Sequence, residues 1–128
     1  MPQSRRRVDP EELRRAVAAV RPWLDGEGER PARSQLATAV RLSLRTLAQL
    51  APGSSVEVRV PPHGAVQCVS GPEHTRGTPP NVVETDPGTW LMLVSGLADW
   101  SRALERGSVH ASGPRADLAR WLPLLRVT

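Results

Sequence analysis

The fold turns on one stretch: Ser55-Val-Glu-Val-Arg-Val60, then Pro61-Pro-His-Gly64, then Ala65-Val-Gln-Cys-Val69. Val56, Val58 and Val60 fall on one side of an extended chain, Glu57 and Arg59 on the other, which is the period of a half-buried strand. The Pro-Pro-His-Gly segment is a turn, and residues 65–69 return as a second strand, so the stretch predicts a hairpin. Cys68 shares a side with Val66 and belongs to the core rather than to a nucleophilic site.

Working backward, Leu36, Val40, Leu44, Leu47 and Ala51 recur at helical spacing and predict an amphipathic helix over 34–50, ended by Pro52-Gly53. Before it, Asp25-Gly-Glu-Gly-Glu-Arg-Pro31 reads as a linker. Asp9 and Pro10 are an N-cap and a first helical position. Leu13, Val17, Val20 and Leu24 then give a first helix over about 10–24, expected to dock on the main domain as an appendage. Residues 1–31 are therefore taken as an N-terminal helix and linker, and 32–128 as the domain proper.

Working forward, 70–80 is a polar loop and Asn81-Val-Val-Glu-Thr85 a short strand. Asp86-Pro87 repeats the cap signal before a helix that ends near Gly96. Asp99 caps a short helix stopped by Gly107. Ser108-Val-His-Ala-Ser112 is a fourth strand, and Gly113-Pro114 opens a last helix, frayed at Pro123, with Leu118, Trp121, Leu122 and Leu125 on one face. Strands and helices are segregated rather than alternating, which predicts an α+β layer: a mostly antiparallel sheet of four to five strands covered by helices.

Composition narrows the function. The chain has 128 residues, a length for one domain. It is 39% hydrophobic and 23% charged, so it is not disordered throughout. Its longest dense apolar run, Trp90 to Val94, is too short to span a membrane. One cysteine excludes an internal disulfide. All 17 basic residues are Arg, which raises the pI to about 11.1 although the formal net charge is only +4. With no Phe or Tyr, stacking platforms for nucleic acid are not expected. Ser4-Arg-Arg-Arg7 is followed by a helix start and not by an apolar segment, so no secretory signal is expected and the reading is cytoplasmic.

Chemistry-bearing residues cluster between 63 and 84: His63, Cys68, His74, Arg76, Asn81 and Glu84. Their spacing matches no metal or Cys-His pattern, and no phosphate loop or nucleophile elbow occurs. Neither a catalytic residue, a metal nor a cofactor is expected. Arg76, beside Gly77 in a loop, is suited to a carboxylate or phosphate headgroup.

The segment Asp86-Pro-Gly-Thr-Trp90, Leu91-Met-Leu-Val-Ser-Gly96, Asp99-Trp-Ser-Arg-Ala103, Gly107-Ser-Val-His-Ala-Ser-Gly113 and the apolar end after it resembles the sterol carrier protein family, in a bacterial, actinobacterial-type form. With the preceding helix and hairpin the resemblance covers about residues 32–125. It implies a sterol-carrier-type fold around an apolar cavity that takes a lipid or other apolar small molecule, without catalysis. On that reading Trp90, Leu91, Val94, Trp100, Leu104, Leu118, Trp121 and Leu122 are the candidate cavity wall. The alternative is a closed interaction or enzyme-accessory domain, similar to the C-terminal part of thiol-dependent maleylpyruvate isomerases, with a protein partner or a second copy in place of the ligand.

Overall fold

The computed structural model describes residues 6–71 and 81–125. Helix α1 spans Pro10–Leu24 and α2 Arg33–Leu50; strands β1 Val56–Val60, β2 Gly64–Cys68 and β3 Asn81–Thr85 follow, then α3 Pro87–Ser95, α4 Trp100–Glu105 and β4 Val109–Ser112. Three aspartates start helices as predicted: Asp9 accepts from the Glu11 amide, Asp86 from the Thr89 amide and Asp99 from the Arg102 amide. Gly96 ends α3 in the left-handed conformation.

The sheet order is β2-β1-β3-β4. The predicted hairpin forms, with Val56 opposite Cys68 and Val60 opposite Gly64. The sheet is not mostly antiparallel, however. β3 pairs with β1 in parallel, Val56 opposite Asn81 and Arg59 opposite Glu84, and β4 then pairs antiparallel with β3. The sheet is mixed, with four strands among the described residues. β2 itself returns the chain to the starting end of β1, where Cys68 and Asn81 both stand opposite Val56, so the chain has only to step past the end of β1 for β3 to pair with it in parallel.

One face of the sheet is buried and one is wet. Val56, Val58, Val60, Cys68 and Val83 have no exposed surface and carry the helices. On the other face Arg59 bonds Glu57 at 2.7 Å and reaches Glu84 at 3.9 Å. The core continues outward through Leu36, Val40, Leu44 and Leu47 of α2 and Trp90, Leu91, Leu93 and Val94 of α3. α1 packs across α2 and α3, burying Leu13, Val17 and Val20. The Trp23 ring reaches Gly88, where a Cβ would lie 3.1 Å from it.

The predicted last helix is absent. Residues 113–125 form turns instead. The Asp117 side chain takes the Ala119 amide, a local bond that competes with helix, and Pro123 has no N–H to give. The segment is held by tertiary bonds: the Leu124 and Leu125 amides both donate to the Val94 carbonyl, an otherwise orphaned acceptor near the end of α3, while Leu118 is fully buried.

Candidate functional site

The eight apolar candidates do not converge on one cavity. Trp90, Leu91, Val94 and Leu118 are fully buried and pack in the core. The Trp90 indole N–H donates to the Ser43 hydroxyl at 2.8 Å, and that hydroxyl donates to the Val40 carbonyl. Trp90 thus fills the layer between α2 and α3 with its polar group satisfied. Trp121 lies half-buried at the edge of the core beneath the Arg120 guanidinium. Leu104 is exposed and borders a separate depression with Val82 of β3 and His110 of β4.

Trp100 and Leu122 do come together. With Leu93, Leu97, Ala98 and Pro123 they line an open groove of about 850 Å³ between the end of α3, α4 and the C-terminal turns. Arg102 and Arg106 stand on its rim. Leu97 is an exposed leucine directly after the Gly96 cap, so α3 ends and the chain turns with an apolar side chain facing solvent. An apolar residue just beyond a helix-ending glycine was the available signal for it. The two arginines carried no such signal in a chain whose basic residues are all arginine.

The polar candidates are separated by the fold. Cys68 is buried, and burial pushes its thiol up to about 11, so it is protonated and shielded at neutral pH. Asn81 is a structural clamp: its amide donates to the Ser55 carbonyl at 2.7 Å and its oxygen accepts from the Arg115 amide at 2.8 Å. Glu84 sits on the wet sheet face near Arg59. His63 lies in the hairpin turn, only 7% exposed, with its carbonyl accepting from Arg41. His74 and Arg76 lie outside the described residues. Among the described residues no three His, Cys, Asp or Glu side chains cluster as a metal would require, and no helix is long and apolar enough to cross a membrane.

The family model described as the bacterial SCP ortholog matches residues 32–124, from just before α2 to the last turn. No curated protein matches the chain.

Proposed function

The chain belongs to the bacterial SCP ortholog family, and from that membership we propose that it binds a lipid or other apolar small molecule without changing it chemically. The observation that carries the reading is the groove floored by Leu93, Leu97, Trp100 and Leu122. Its volume, about 850 Å³, is that of a small-molecule site, and its lining combines these apolar side chains with polar ones from Asp99, Ser101, Arg102 and Arg106, so it offers apolar surface to a tail and polar groups to a head. Each methylene taken from water contributes about 0.8 kcal/mol. Arg102 and Arg106 at the rim suit an acidic headgroup.

A second reading is favoured by one observation. The layer between sheet and helices is occupied by fully buried side chains, Trp90 foremost, which suits a closed domain that works through a partner.

Titration of delipidated protein with a fluorescent long-chain fatty acid separates the two. The carrier reading expects saturable uptake, weakened roughly tenfold or more in Leu97→Glu, a change at an exposed site that leaves the fold intact. No uptake by the unaltered protein, together with a stoichiometric protein partner, would establish the closed domain instead.

A further inference from the structure

Between Arg30 and Val56 the chain carries Arg30, Arg33, Arg41 and Arg45 and no acidic residue at all. No acidic side chain among the described residues pairs with them. The ion pairs among the described residues join Arg14 to Glu11, Arg21 to Asp25, and Arg59 to Glu57 and Glu84, and none involves these four. Two of them, Arg41 and Arg45, stand one helical turn apart on the flank of α2 that faces β2. There they border a groove of about 350 Å³ whose walls include Leu44, Gln49, Gly64 and Val66.

The groove has a fixed cation and an open floor. The Arg41 Nε donates to the His63 carbonyl at 2.9 Å, which anchors the guanidinium beside the hairpin turn. At Gly64 a Cβ would have only the Leu44 side chain at 3.6 Å and the Arg41 stem at 3.9 Å near it, so glycine keeps this part of the floor clear. β2 is the edge strand of the sheet among the described residues, where its outward backbone groups have no strand partner. Gln49, at the other end, holds the Arg6 carbonyl and the Val8 amide, which brings the exposed Arg6 and Arg7 to the same face. The positive field is felt locally: the His63 imidazole is held below its ordinary pKa, by burial first and then by Arg41, Arg33 and Arg30.

We infer that the groove between α2 and β2 binds a phosphate monoester with a short apolar substituent, the phosphate between Arg41 and Arg45 and the apolar part over Leu44 and Val66. Uncompensated arginines favour a dianion over a singly charged carboxylate, and the planar guanidinium fork matches phosphate geometry. A phosphate monoester carries about −1.5 to −2 charge at neutral pH. The volume, near the lower end for small-molecule sites, admits a head and a short chain and not a whole lipid. This site is separate from the groove beside α4, and the inference does not depend on the carrier reading.

The test is a chemical-shift titration of the full chain with hexyl phosphate, inorganic phosphate and 1-hexanol. Hexyl phosphate is expected to bind at least tenfold more tightly than either fragment and to shift Arg41, Arg45, Gly64 and Val66. Arg41→Gln and Arg45→Gln should each weaken it roughly tenfold, while Leu97→Glu should leave it unchanged. Equal binding of hexanol, unchanged affinity in both arginine variants, or shifts confined to the α4 groove would overturn the inference and leave the fatty-acid result untouched. Competition by phosphatidic acid vesicles, and none by phosphatidylcholine vesicles, would mark a lipid headgroup as the source. No competition by either would mark a soluble ester.

Discussion

His63 shows how a residue's surroundings set its chemistry. The sequence places it in a turn, a surface position by default, yet it is buried and flanked by guanidinium groups. Its folded pKa therefore lies below the ordinary value of 6.5. Above that value the imidazole is neutral in both states and contributes nothing to pH dependence. As pH falls below it the unfolded chain takes up the proton first, so stability drops until the folded imidazole also titrates. His63→Gln is expected to flatten the fall of the thermal midpoint between pH 7 and pH 5. Identical slopes in the two proteins would show that the imidazole titrates normally. Cys68 follows the same logic in the other direction: its place on the inward side of β2 was legible from alternation, and burial makes the thiol inert.

At the scale of elements, the junction between α2 and the hairpin rests on one glycine. The Val69 amide donates to the Ala51 carbonyl, and the Val69 carbonyl accepts from both the amide and the hydroxyl of Ser55. Gly53 passes over this knot with φ +146, and a Cβ there would lie 2.3 Å from the Val69 carbonyl. Gly53→Ala is expected to destabilise the protein by about 3 kcal/mol or more, since backbone on both sides must move. A denaturant midpoint within error of the unaltered protein would show that the knot is loose. The sequence marked Pro52-Gly53 as a helix stop, which it is; that the glycine also admits a crossing chain depends on Val69, which no local pattern connects to it. The last helix fails for a related reason. Its apolar spacing was present, but Asp117 and Pro123 favour turns, and the Val94 carbonyl supplies the bonds that a helix would otherwise make internally.

For the whole molecule, the question is whether α1 is an attachment or part of the core. The family match begins after it, at residue 32. Leu13 is nonetheless 2% exposed and Val20 is fully buried against α2 and α3. Leu13→Ala is expected to cost about 2–5 kcal/mol in equilibrium unfolding, as in any well-packed core. A cost near zero would mean that α1 detaches without loss.

The sequence by itself determined the three helix starts at Asp9, Asp86 and Asp99, the hairpin, the inward side of β1 and β2 and the segregated order of elements. These are set by caps, turns and periodicities that act over a few residues. Tertiary structure alone decided three things: that β3 joins β1 in parallel, that Trp90 and Leu118 fill the core while Trp100 and Leu122 line a groove, and that Arg41 and Arg45 share a wall with Gly64. An apolar side chain has the same pattern whether it meets protein or ligand, and an arginine has the same pattern whether or not an acid faces it. Only the packing of distant segments distinguishes them.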